Sequence, residues 1–129
     1  MQNTRAMLDS IGMCLFPALF EPALDDPILS LLSAITGREY DKIEFAKTGE
    51  RVFSLEKMFN YREGFRREDD RLPDRFFEDA FTIGTKKGSV LDRNQFDAML
   101  AQYYKDRGWD PDTTKPGESK LKELDLDSI

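Results

Sequence analysis

The stretch DKIEFAKTGERVFSLEKMFN, residues 41–60, decides the fold class. Ile43, Phe45, Ala46, Val52, Phe53, Leu55, Met58 and Phe59 recur at a spacing near 3.6 residues, with charged side chains between them. That period belongs to an α-helix with one apolar side; a half-buried strand would alternate every second residue. A helix is therefore expected over about Asp41 to Asn60. Gly49 sits inside it, where glycine costs about 1 kcal/mol against alanine. A residue that weakens its own helix is expected to mark a close approach by another element.

The same period extends in both directions. Upstream, residues 2–11 carry Ala6, Met7 and Ile11 on one side, and Gly12 then breaks the helix or turns the backbone closely. Pro17 and Pro22 punctuate an apolar connector that holds Leu15, Phe16, Leu19 and Phe20. Asp26 before Pro27 is a helix start, an acceptor at the N-cap with proline at the first helical position. Ile28, Leu29, Leu31, Leu32 and Ile35 come next, and Gly37 suits the stop. Apolar on most sides, this helix is expected to be central.

Downstream, YREGFRREDDRLPDRFF (61–77) is expected to be a loop leading into a short helix at about 74–80. TIGTKKGSV (82–90) is a turn-rich linker and the expected subdomain boundary. Asp92 and Gln95 form a capping-box pattern, with Phe96, Met99, Leu100 and Tyr103 after it at i, i+3, i+4 and i+7. Gly108 ends that helix, and Trp109 after it is placed to pack back on the helix end. WDPDTTKPGES (109–119) is a loop, and KLKEL (120–124) is at most a short helix. No strand pattern and no internal repeat stand out. The expected fold is all-α and multihelical, in two small helical subdomains, 1–83 and 84–129.

Composition sets the outer limits. The chain has 129 residues, 40% hydrophobic, with ten Phe, which is enough to build a packed core. Its 19 basic and 25 acidic residues leave a net charge of −6, which repels phosphate backbones and argues against nucleic acid. No apolar run reaches the roughly 18 to 20 residues needed to span a bilayer, so a membrane is not an expected partner. No basic region leading into an apolar block opens the chain, and the single cysteine fits a reducing compartment. A cytoplasmic location is expected.

The chemistry-bearing residues are few. LDSIGMCLF (8–16) places the only cysteine, Cys14, after Asp9 and Gly12 in an Asp-x-x-Gly-x-Cys spacing. A lone cysteine among apolar neighbours is either a core thiol or one ligand of a site completed elsewhere. Asp9, at a helix C-terminus, opposes the helix dipole and is expected to have a donor partner. An iron–sulfur cluster takes four thiolates, so Cys14 cannot hold one by itself. REGFRREDDR (62–71) is either a surface loop of paired charges or a network shaping a pocket or docking a partner. DPDTTKPGESKL (110–121) is not a calcium loop, because Lys115 stands at its sixth position and Leu121 at its twelfth. GTKKGS lacks the Walker spacing, and without histidine no Ser-His or Cys-His catalysis operates within the chain.

DSIGMCLF resembles the Asp-x-x-Gly-Leu-Cys motif of the tungsten-containing aldehyde ferredoxin oxidoreductases, with Met13 in place of Leu. TGERVFSLEKMFNYREGFRREDDRLPDRFF (48–77) is similar to that family's Gly-Glu-Arg, Phe-Asn-x-Arg-Glu-Gly-Phe and Asp-Asp-x-Leu-Pro signatures. FDAMLAQYYKDRGWDPD (96–112) resembles its Tyr-Tyr-x-x-Arg-Gly-Trp-Asp segment, and LKELDL (121–126) its Leu-x-x-Leu-x-Leu. The resemblance runs through nearly the whole chain in order.

It implies the C-terminal all-helical part of a longer enzyme that oxidises aldehydes to carboxylic acids. Such enzymes carry a tungsten, sometimes molybdenum, bis-pyranopterin and pass electrons through a 4Fe-4S cluster to ferredoxin. By this resemblance Cys14 is the fourth cluster ligand, Asp9 accepts hydrogen bonds from a pterin, and Gly12 and Met13 bring backbone close to its ring. The family's three-cysteine motif, second pterin motif and catalytic acid/base residues have no counterpart here. The chain alone is therefore expected to be inactive, with no catalytic residue and no cofactor bound. Its expected partners are the rest of the enzyme chain, ferredoxin and an aldehyde. The alternative is a helical binding or assembly module that kept the fold without the catalysis.

Overall fold

The computed structural model describes residues 2–16 and 25–128. Pro17, Leu19, Phe20 and Pro22 of the expected connector lie outside the described residues. The named helices are α1 Gln2–Ser10, α2 Asp25–Thr36, α3 Lys42–Arg62, α4 Arg75–Glu78, α5 Arg93–Asp106 and α6 Glu118–Glu123, with a 3-10 turn at Arg67–Asp69. The described residues form no strand, only an isolated bridge between Trp109 and Pro116, so the fold is all-α as the period requires. No described helix is long and apolar enough to cross a membrane.

The chain divides into two compact units, Met1–Glu56 with Glu123–Ile129, and Lys57–Lys122. This division runs differently from the expected boundary between 83 and 84. The 81–89 turn closes on itself, with the Phe81 N–H donating to Ser89 O at 3.0 Å and the Gly88 N–H to Phe81 O at 2.8 Å. The residues on its two sides stay bonded to each other. The Leu91 N–H donates to Phe76 O at 3.0 Å, Arg93 pairs with Asp74 at 3.0 Å, and Phe77 and Phe96 meet edge to face at 5.6 Å. A turn signal in sequence marks a change of direction, not the edge of a core.

In the first unit, α1 buries Ala6, Met7 and Leu8. Met7 and Leu8 pack with Ile28 and Leu29 of α2 and Phe45 of α3. Asp41 caps α3, its carboxylate accepting the Glu44 N–H at 2.7 Å. Gly49 is buried, and a Cβ there would lie 2.1 Å from the carbonyl oxygen of Asn3. The expected close approach is thus α1 backbone laid against α3. The α2 helix begins at Asp25, one residue before the expected cap, with Pro27 in a first turn whose N–H groups need no helical acceptor. It is not central. Ile28 and Leu29 are buried, while Leu31 and Ile35 are 62% and 74% exposed, so only one stripe meets the core.

The second unit is organised around Asp70. Its carboxylate accepts from the Lys57 ammonium and, at 2.6 Å, from the Tyr104 hydroxyl. Tyr104 is the buried residue of α5, whereas Met99, on the expected apolar stripe, is 73% exposed. Trp109 stacks on Tyr104 with ring centroids 6.2 Å apart. It reaches that position through a Schellman turn at Gly108, which adopts φ +67. The Gly108 N–H donates to Lys105 O at 2.9 Å and the Trp109 N–H to Tyr104 O at 2.8 Å. Asp92 caps α5 by accepting the Gln95 N–H at 2.8 Å. Within the charged 62–71 stretch Arg62 and Glu63 form an exposed pair, while Asp70 anchors α3 and α5.

This packing has two measurable consequences. Gly49→Ala forces backbone against backbone, which a side-chain rotation cannot relieve. It should lower unfolding free energy by about 1 to 3 kcal/mol or more, read by urea denaturation. Burial, helped by the charge and hydrogen bond of Asp70, pushes the Tyr104 hydroxyl far above the usual tyrosine range, against an opposing effect of Arg67. The folded state then holds its proton more tightly than the unfolded chain. That stability is full below about pH 10 and is lost as pH rises beyond it. Tyr104→Phe should cost about 1.5 to 3 kcal/mol at neutral pH and make the alkaline decline less steep.

Candidate functional site

The turn after α1 is built by three hydrogen bonds. The Ile11 N–H donates to Leu8 O at 3.2 Å, the Gly12 N–H to Asp9 O at 3.0 Å, and the Met13 N–H to Leu8 O at 2.9 Å. The last two form a Schellman motif with Gly12 at the left-handed position, φ +68. An added Cβ at Gly12 would meet nothing within 4 Å, so glycine is set here by the backbone angle and the space beside it is open. The motif's usual apolar contact is present, because Met13 packs against the cluster that contains Leu8.

From here side chains alternate. Ile11, Met13 and Leu15 pack against the core, while Gly12, Cys14 and Phe16 are exposed. The apolar neighbours of Cys14 are thus its anchors rather than its surroundings, and the thiol itself is exposed. Met13 directs its side chain to the core, and its N–H is already engaged by Leu8. What sequence reasoning missed is this alternation, although the apolar residues at 11, 13 and 15 carried its signal.

Asp9 lies on the last turn of α1 and is exposed. The donor partner expected for it does not appear: among the described residues no hydrogen bond or ion pair engages its carboxylate. It lines a hollow of about 470 Å³ with Arg5 and Ser10 of α1 and Val52, Phe53 and Glu56 of α3. Cys14 is not among the residues lining that hollow. Asp9 and Cys14 are therefore joined by one turn of backbone, not gathered into one cavity.

Among the described residues no three His, Cys, Asp or Glu side chains gather to hold a metal ion. One exposed cysteine can serve as one of a cluster's four ligands, so Cys14 fits such a cluster only as a contributor. An unengaged carboxylate facing an open hollow likewise fits a ring bearing N–H donors. The 110–113 stretch forms an internal turn. Asp110 accepts from the Thr113 N–H at 2.6 Å, the Thr113 hydroxyl at 2.8 Å and the Asp112 N–H at 3.1 Å. The bonds from Thr113 hold its carboxyl below the usual aspartate value.

A family model described as aldehyde ferredoxin oxidoreductase, domains 2 and 3, matches residues 1–126. The chain belongs to this family. It is 37% identical over 129 residues to a tungsten-containing aldehyde ferredoxin oxidoreductase of Pyrococcus horikoshii, covering 99% of the chain and 20% of that protein. The protein of the same description from Pyrococcus furiosus is 38% identical over 126 residues, 97% of the chain and 20% of the relative. That of Thermococcus kodakarensis is 36% identical, with the same shares. The chain spans about a fifth of the length of the curated relatives it matches.

For this member of the aldehyde ferredoxin oxidoreductase family, exposure of Cys14 is directly measurable. The folded chain should react with a thiol reagent within about tenfold of the rate in denaturant. Protection by several orders of magnitude would place the thiol in the core instead.

Proposed function

We propose that this chain forms the C-terminal part of an enzyme that oxidises aldehydes to carboxylic acids and delivers the electrons to ferredoxin. The observation that carries the reading is the exposed Cys14 on a core-anchored turn, within a chain that belongs to the aldehyde ferredoxin oxidoreductase family. The relatives are named tungsten-containing, which supports a tungsten cofactor in the complete enzyme. When bound, a tungsten bis-pyranopterin would supply the two-electron oxidation and a 4Fe-4S cluster the outward electron path.

This chain's residues hold and orient. The Cys14 thiolate would be the fourth ligand of the cluster, and the Asp9 carboxylate would accept hydrogen bonds from the N–H groups of a pterin. Gly12, with open space where a Cβ would stand, lets the pterin approach the backbone. The Met13 N–H, by bonding Leu8 O, fixes the turn that carries both. A single turn of backbone joins the carboxylate that would hold the pterin to the thiolate that would hold the cluster.

The other three cluster ligands and the groups that move protons belong to polypeptide beyond this sequence, in the cytoplasm. Apolar side chains left in water support such a neighbour, among them Leu31, Ile35 and Ile43, the last 82% exposed. In this reading the chain by itself is a wall of the site and does not turn over aldehyde.

The test is Cys14→Ser in a full-length protein that carries this segment. The variant should lose or weaken its iron–sulfur cluster, seen as loss of iron and of its visible absorption, while the helical far-ultraviolet spectrum stays. An unaltered cluster would remove Cys14 from the site.

A further inference from the structure

The segment after α6 returns to the first unit and grips α3. Leu124 and Leu126 are buried, at 0% and 4% exposure, and Asp125 stands between them. Arg51 of α3 donates from Nε to the Leu124 carbonyl at 2.8 Å and from Nη2 to the Asp125 carboxylate at 3.3 Å. Lys47, one turn earlier, reaches the same carboxylate at 3.4 Å, and Glu44 pairs with Arg51 at 3.5 Å. Asp125 adopts φ +55, a left-handed angle that aspartate takes more readily than most non-glycine residues.

Helical geometry relates this grip to the candidate site. Lys47 and Arg51 share one side of α3 at i and i+4. Gly49 lies about 160° around the axis from each, at 100° per residue. Gly49 is the residue that receives the Asn3 carbonyl of α1. In the first unit α3 is therefore clasped between the 123–128 segment on one side and α1 on the other. The end of α1 carries the Asp9–Cys14 turn.

We infer that the 123–128 segment is a positioning element for the turn that presents Cys14, fastened through Arg51. Fixing Lys47 and Arg51 fixes the opposite side of the same helix turns, and with it the seat of α1. Arg51 suits the task because its planar fork holds donors for the carbonyl and the carboxylate in a fixed arrangement, whereas the donors of a lysine rotate on a flexible stem. The functional weight of this device rests on the role proposed for Cys14, but its geometry does not.

Amide hydrogen exchange of the cofactor-free chain tests it. The Gly12 and Met13 N–H groups, which donate to Asp9 O and Leu8 O, report on the turn. Those of Gly108 and Trp109, in the equivalent turn of the second unit, are the reference. Arg51→Ala should speed exchange at Gly12 and Met13 by about tenfold or more and leave Gly108 and Trp109 unchanged. Arg51→Lys should fall between the two. Unchanged exchange at Gly12 and Met13 would overturn the inference, as would equal acceleration in both turns, which reports general loosening. If Arg51→Ala does not fold, Asp125→Asn weakens the same link more gently and must give the same pattern. Because no cofactor is involved, the result stands apart from the cluster experiment on Cys14→Ser.

Discussion

The first unit depends on one missing methyl group. Only glycine at position 49 lets the Asn3 carbonyl reach the surface of α3, where a Cβ would stand 2.1 Å from the oxygen. That approach seats α1 against α3. Met7 and Leu8 meet Phe45, and the helix ends where Gly12 can turn left-handed. The next residues then alternate between core and solvent. Cys14 is exposed because Met13 and Leu15 are held. A reactive side chain on such a turn gains fixed geometry without being covered, which suits a residue that must bond to something supplied from outside.

The second unit uses a different device for a similar end. A carboxylate, an ammonium and a hydroxyl converge at Asp70, and the aromatic pair Tyr104 and Trp109 covers them. Lys57 lies 5.7 Å from the Tyr104 ring centroid and 6.0 Å from that of Trp109. Its charge is thus balanced by a carboxylate and two ring faces, as a cation 8% exposed requires. The charged 62–71 stretch, unpromising as core material, supplies the unit's central acceptor.

Local signals in the sequence translated well. The 3.6-residue period gave the helices, Gly49 announced a close packing, and Gly12 and Gly108 marked helix ends, with Trp109 folding back on its own helix. Each of these is a statement about a residue and its near neighbours. The failures are non-local. Nothing near Asp70 names Lys57 or Tyr104 as its partners, 13 and 34 residues away. The return of Leu124 and Leu126 to the first unit left no mark that would shift a boundary away from the 82–90 turn. The apolar character of α2 was read as burial, yet Leu31 and Ile35 face water. In the candidate site, the turn and the exposure of Cys14 come from the residues, while the partner proposed for Cys14 rests on the family resemblance.

The central claim is that Cys14 bonds to iron in the complete enzyme. The most direct measurement is proton NMR of a full-length, cluster-containing protein carrying this segment, with the β-protons of Cys14 assigned by selective labelling. A ligand's β-protons sit next to a paramagnetic centre and feel its electron spin. The account predicts hyperfine-shifted Cys14 β-proton signals, far outside the ordinary protein range. Signals within that ordinary range, with the cluster demonstrably present, would contradict it.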